Sequence, residues 1–281
     1  MTLEVLIPLR NPTDVIARTI ESLATQTDKN FSVLISDNFS TKGSEQIESG
    51  LKKLSESGIA ARKIRPPMEL GRVEHWNWAH HQSEADWLKP LFAGDWLEPN
   101  YVERIRVAIN ADPPVDIINC SFISHQPDGT QTEGNLPGGY RSPEQVLGDA
   151  FRDGNCFGGP INLCFRRLAF ELVGGYPPAL PVSADFWLIL MLALRKGIRT
   201  CPEVLGHFNY HPARFSTNFP WKRIHGDREL FIILLAATSA ANFMEVPVNL
   251  AKRNRFFARL FKRNTKAWIK RRWTSKSADK R

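Results

Sequence analysis

The chain opens by alternating between two hydrophobic periods, and this alternation restricts the fold more than any other feature. Residues 3–9 form an apolar run of strand length. Asn11, Pro12, Thr13 and Asp14 follow as a turn and helix-start signal, since Pro12 has no N–H with which to continue a ladder. Val15, Ile16, Thr19, Ile20 and Leu23 then recur at helical spacing. Residues 31–36 are a second short apolar run, closed by the turn-forming cluster Asp37, Asn38, Phe39, Ser40 and Thr41. Residues 44–54 read as a helix with Ile47, Leu51 and Leu54 inward. Strand–helix–strand–helix is the pattern of a parallel sheet covered by helices.

The pattern continues. Val73, Trp76, Asn77 and His80 share one helical face, and residues 87–92 read as a strand ending at Ala93, Gly94 and Asp95. Residues 101–109 predict a helix and 116–124 a strand. Residues 126–142 are polar, rich in Gly and Pro and without period, which predicts a long loop. A short strand is expected at 162–166, a helical turn at 169–173, an apolar helix at 186–195 closed by Gly197, and a last strand at 199–207. From Trp221 onward the chain reads as helix, interrupted at Pro247. The domain reading is therefore an α/β domain over 1–220 and a helical, basic extension over 221–281. In an open α/β sheet, ligands bind beyond the carboxyl ends of the strands. The polar residues Arg10 and Asn11, Asp37 and Asn38, and Gly94 and Asp95 should meet in one cleft.

Charge divides the chain the same way. The formal net charge is +8, yet residues 252–281 hold thirteen basic residues and one acid, leaving −4 on the first 251. This excludes a uniformly basic nucleic-acid-binding domain. The four cysteines are far apart and form no C-x-x-C pair, so reduced thiols are expected rather than a zinc site. The longest apolar stretch, 230–241, is short of the about twenty residues that a membrane span needs. The start of the chain lacks the pattern of a signal peptide. These features predict a soluble, cytoplasmic protein.

Several segments, in order, resemble the family-2 glycosyltransferases with the GT-A fold. Ile7-Pro8-Leu9-Arg10-Asn11 is like the family's I-P-x-x-N, and Asp37-Asn38-Phe39-Ser40-Thr41 is like its D-[DN]-x-S-T. Leu70-Gly71-Arg72, Trp76-Asn77-Trp78, Ala85-Asp86-Trp87-Leu88 and Gly94-Asp95-Trp96-Leu97-Glu98-Pro99 resemble its block ending in D-D-x-L-x-P. Phe165-Arg166-Arg167 and Val173-Gly174-Gly175-Tyr176 resemble F-R-[RK] and V-G-G-[FY], and Ala184-Asp185 stands where the family has Glu-Asp. His211, followed by Ser216, matches a further family position. The order of the pieces, each at an expected strand or helix end, carries the resemblance across residues 2 to about 217.

The resemblance implies a Rossmann-type, mostly parallel sheet and an inverting transfer of sugar from a nucleotide-diphosphate donor. It makes Asp185 the catalytic base, with an N-cap of the following helix as the plainer alternative. A base at a helix start would have its ionised form favoured by the helix dipole. It makes Asp37 the nucleobase acceptor, pointing to uridine, with an Asx-turn as the alternative. It places Pro8, Arg10, Asn11, Asn38, Arg72 and Gly94 around the nucleotide, although Arg72 could be a solvated helix-start residue. Asp95 and His211 would hold a divalent cation, Mn or Mg, against the diphosphate; a strand-end turn is the alternative for Asp95. Phe92 and Gly94 replace two further acids of the family pattern, and Ala184 replaces a third. Trp96 would line the sugar pocket. Gly159, in the Gly158-Gly159-Pro160 turn, would lie on the acceptor side, unless that turn is purely structural.

The extension lies outside the resemblance. Residues 251–273 interleave base and aromatic, with Phe257, Leu260, Phe261 and Trp268 on one helical face. That composition suits an anionic membrane surface, and would hold the protein on the cytoplasmic face beside a saccharide or lipid-linked acceptor. A solvated tail and a nucleic-acid arm are the alternatives; no recognition motif supports the latter. A rival to the enzyme reading is a catalytically weak nucleotide-sugar or glycan-binding protein, given the missing acids. A dinucleotide-dependent oxidoreductase is disfavoured, because no G-x-G-x-x-G follows the first strand.

Overall fold

The computed structural model describes residues 1–210 and residues 226, 227, 230 and 231. The first strand, β1 (Leu3–Leu9), is buried along its whole length. It pairs in parallel with β2 (Ser32–Asp37) on one side and β4 (Trp87–Pro90) on the other, and β2 pairs in parallel with the edge strand β3 (Ala60–Ile64). Past β4 the short β9 (Leu163–Arg166) runs antiparallel between β4 and β6 (Ile117–His125). β6 therefore points the same way as β4, and β10 (Ile198–Asn209) pairs with it in parallel. The antiparallel β5 (Trp96–Leu97) closes the order β3-β2-β1-β4-β9-β6-β10-β5, with β7 (Gln131–Gly134) on β6 and β8 (Gly139–Arg141) on β10.

Both faces of this sheet are covered, which is why β1 reads as a continuous apolar run. The pleat sends its residues alternately to the two sides. Val5 and Ile7 join Val33 and Ile35 beneath α1 (Ile16–Ala24), α2 (Ser44–Glu56) and α4 (Tyr101–Ile109). Leu6 joins Leu34, Leu88 and Ile117 on the other side, under α3 (Arg72–His81), α5 (Pro143–Asp153), α6 (Arg167–Leu172) and α7 (Ala184–Lys196).

Two elements depart from the sequence reading. β3 is mostly exposed and shows no apolar alternation, because it lies on the sheet's edge. Part of the expected long loop is structured: β7 and β8 lie within it, and α5 follows at once. The start of α5 carries a local signal. Pro143 occupies its first turn, and Ser142 and Gln145 form a reciprocal capping box. Val146, Leu147 and Ala150 then turn inward.

Among the described residues, no helix is long and apolar enough to cross a membrane. The helical extension and the amphipathic stretch 251–273 lie outside the described residues, apart from the four named above. Of those, Phe231 is buried and stacks on Phe186 of α7, with ring centroids 4.7 Å apart.

Candidate active site

The parallel strands end along one edge, and the loops leaving them are stitched together by short polar side chains. Asn11 has φ 48°. Its Oδ1 accepts the Thr41 N–H at 2.8 Å, and its own N–H donates to Ser40 Oγ at 2.7 Å. Asn38 donates to the Leu70 carbonyl at 2.8 Å and accepts the Leu70 N–H at 3.0 Å. Pro8 is buried in β1 opposite Ser36. Asn11 and Asn38 thus spend these polar groups on neighbouring loops, on the backbone of Thr41 and Leu70 and on the Ser40 hydroxyl. These bonds brace the loops. Arg10 is exposed and pairs with Glu69 at 2.8 Å.

Asp37 is only 2% exposed. It accepts the Ser40 N–H at 3.0 Å and pairs with Arg65 at 2.6 Å. Burial pushes its carboxyl up, but the Ser40 bonds and the Arg65 guanidinium outweigh that and hold it below the usual range. Both the Asx-turn bond and a charged partner are therefore present. Arg65 carries no local sequence signal; only the fold brings it to Asp37.

A pocket of about 400 Å³ opens beside these loops, and Arg72, Phe92, Asp95, Gly159 and Asp185 all line it. Asp95 is 1% exposed, and its Oδ1 accepts the Asn209 N–H from the end of β10 at 2.9 Å. The buried Thr19 hydroxyl fixes the same loop. It donates to the Asp95 carbonyl at 2.8 Å and accepts the Gly94 N–H at 2.9 Å.

Asp185 is the second residue of α7, and Ser183 occupies the N-cap position, so the N-cap alternative for Asp185 does not hold. Its Oδ1 accepts the Phe186 N–H at 2.8 Å. Burial pushes its carboxyl above the usual range, against the opposing pull of that N–H and of Arg72. The expected helix-start stabilisation of the ion is present but loses to desolvation. Gly159 lies against this carboxylate: a Cβ there would sit 3.5 Å from Asp185 Oδ2. The turn depends on Gly158, with φ +99°, where a Cβ would come within 2.3 Å of Asn162 Nδ2. Asn162 is fully buried and holds the turn by accepting the Gly159 N–H at 2.9 Å.

Arg72 starts α3, lies over the Trp76 ring at 4.4 Å and donates to the Pro181 carbonyl. Burial lowers it to about 10, offset in part by Asp185 and Asp227. It is therefore charged at neutral pH and not a solvated helix-start residue. Asp227 lies in none of the sequence motifs. It accepts the Val182 N–H at 2.8 Å and the Ser183 hydroxyl at 2.5 Å, and so holds the two residues before α7.

Trp96, expected at the sugar pocket, is not among the residues lining this pocket. The residue is 8% exposed, and its ring is stacked on His207 at 4.9 Å, with the Arg18 guanidinium 3.2 Å from the ring centre. His211, the other expected metal ligand, lies outside the described residues. Among the described residues, no group of three or more His, Cys, Asp or Glu side chains is placed to hold a metal ion. Phe92 and Gly94 beside Asp95 supply no further carboxylate, so Asp95 would hold a divalent cation only together with ligands from the donor's phosphates.

Comparison with known proteins agrees with this architecture. Residues 4–171 match the family model "Glycosyl transferase family 2". An uncharacterized glycosyltransferase of Haemophilus influenzae is 24% identical over 220 residues, which cover 77% of this chain and 71% of that protein. Residues 1–349 of S. aureus TarS in complex with UDP superpose with a TM-score of 0.60 at 15% identity, covering 75% of this chain and 61% of that one. The mannosyltransferase PcManGT from Pyrobaculum calidifontis, in complex with GDP-Man and Mn2+, gives 0.53 at 16% identity, covering 87% of this chain and 66% of that one. The present chain thus spans under two thirds of the TarS fragment. The fold is GT-A-like, and the chain, a transferase, belongs to glycosyl transferase family 2.

Proposed function

We propose that the chain moves a sugar from a nucleoside diphosphate donor, a UDP-sugar, to a saccharide or lipid-linked acceptor, with inversion, in cell-surface polysaccharide or glycan synthesis. The observation that supports this most is the single pocket shared by Asp185, Arg72 and Asp95. In this reading Asp185 accepts the proton of the acceptor hydroxyl as its oxygen attacks the anomeric carbon. The bond to the diphosphate breaks on the opposite face of the sugar. A carboxyl raised toward the working pH is a stronger base than an ordinary aspartate. Arg72 keeps its charge and faces the negative charge that develops on the leaving diphosphate. Asp37, ionised and held by Arg65, accepts an N–H of the base.

A divalent cation, Mn or Mg, would have to draw most of its ligands from the donor's own phosphates. A basic, aromatic stretch at 251–273 supports delivery to an anionic membrane surface on the cytoplasmic side. The replaced acids at Phe92, Gly94 and Ala184 favour a second reading, a binding protein without turnover. A panel of UDP-glucose, UDP-N-acetylglucosamine and GDP-mannose separates the two. The expected result is a raised melting midpoint and release of the nucleoside diphosphate with at least one UDP-sugar. A raised midpoint without release with any donor supports the second reading.

A further inference from the structure

β4 carries a charged side chain where the two-faced burial of the sheet calls for an apolar one. Lys89 has no exposed surface (0%). Its Nζ donates to the carbonyl oxygens of Pro160 at 2.9 Å and Ile161 at 2.6 Å. The Tyr101 ring from α4 lies 5.4 Å away. The titratable groups that act on it are Cys120 of β6, Cys164 of β9 and Asp95 from the loop after β4. Burial lowers Lys89 to about 8, against the pull of those three groups.

An ammonium group taken out of water costs the fold stability, and an apolar side chain of similar length fills the same space without that cost. The contacts that Lys89 makes therefore need a use other than packing. They have one at the pocket. Pro160 and Ile161 line it next to Gly159, and the chain leaving β4 lines it with Phe92 and Asp95. Lys89 is a hydrogen-bonded tie between these two walls.

We infer that Lys89 is a positioning residue for sugar transfer: it ties β4 to the wall formed by Gly159, Pro160 and Ile161, and thereby sets the width of the pocket in which Asp185 works. This rests on reading the pocket as the transfer site. Bonds from a charged donor are roughly twice as strong as those from a neutral one, so loss of the proton slackens the tie. The stability effect has the opposite sign. Between about 8 and the ordinary lysine value of 10.5 the unfolded chain holds the proton and the folded chain does not. Lys89's contribution to stability then rises with pH. Activity and stability should part company above pH 8.

The test measures nucleoside diphosphate release by the full chain and by Lys89→Met across this pH range, with whichever panel donor the wild type turns over, alongside the melting midpoint at each pH. Lys89→Met is expected to melt no lower than wild type at neutral pH and to turn over roughly ten- to a hundredfold more slowly, the scale of a misplaced reacting group. The wild-type decline through about pH 8 should be missing from the variant's profile. A variant with wild-type turnover and the same alkaline decline overturns the inference. If Lys89→Met does not fold, the wild type decides. Turnover falling through pH 8 while the midpoint holds supports the tie, and turnover flat across pH 8 overturns it. A wild type that releases nothing from any donor overturns the reading of the pocket itself, and the inference with it.

Discussion

At the scale of single residues, the site depends on how burial and charge are balanced at two aspartates, Asp185 and Asp37. Asp185 has its carboxyl raised by burial, so the ion that a base requires is held at a cost. A raised folded pKa means that its contribution to stability is complete below the unfolded value and is lost as pH rises through the folded one. Asp185→Asn should therefore melt at or above the wild-type temperature at neutral pH while losing activity. A differential scanning measurement beside a rate assay checks both. The acid limb of wild-type kcat/KM should lie above the ordinary aspartate range, and a limb at or below it would count against Asp185 as the titrating base. Asp37 behaves in the opposite way. Its lowered pKa gives stability above the unfolded value that is lost as pH falls through the folded one. Removing its partner with Arg65→Ala should weaken UDP binding, read as a smaller UDP-induced rise in melting midpoint. Asp37, Asp95 and Asp185 were legible in the sequence because each sits in a local motif at a strand or helix end. Arg65, Lys89 and Asp227 were not, because each acts on a segment far away in the chain. Lys89 and Pro160 are 71 residues apart, and Asp227 and Val182 are 45 apart.

At the scale of elements, the alternation of periods places most strands and helices close to where the structure has them. The elements it misses are instructive. β3 has no apolar face to advertise, since it pairs on one side and faces solvent on much of the other. α5 carries a full start signal in Ser142, Pro143 and Gln145, but the polar Gly- and Pro-rich run before it masks the change of period. Ser142→Ala should cost about 1 kcal/mol of stability, measured by denaturant titration, with little effect on turnover. The first turn of α7 is held from outside the element. Asp227 fixes Val182 and Ser183, and Phe231 stacks on Phe186. Asp227→Ala should therefore lower kcat through a displaced Asp185. A loss of stability with kcat unchanged would show instead that the contact only supports the helix. The Asp-rich family segment is the element in which sequence and family differ most. With Phe92 and Gly94 beside Asp95, the rate should depend on added Mn or Mg mainly through donor KM, as checked by titration after chelation.

At the scale of the molecule, the net +8 is the sum of an acidic body and a basic extension. The body forms the GT-A-like sheet and brings one arginine, two aspartates and a glycine turn into a single pocket. The bulk charge lies elsewhere, on residues 252–281. If that extension addresses a membrane, the full chain should bind phosphatidylglycerol vesicles and release them at high salt, while a chain ending at residue 250 should bind neither those nor phosphatidylcholine. Equal binding of the full chain to both lipids would remove the membrane reading without touching the chemistry. The central claim is that Asp185 is the base of a sugar transfer from a nucleoside diphosphate donor. Its most direct test is turnover of the active donor by the full-length wild type and Asp185→Asn, with donor binding followed in the same samples by thermal shift. The account predicts a fall in kcat of about 10²- to 10⁴-fold with the donor-induced shift retained. Turnover by Asp185→Asn at the wild-type rate would contradict it.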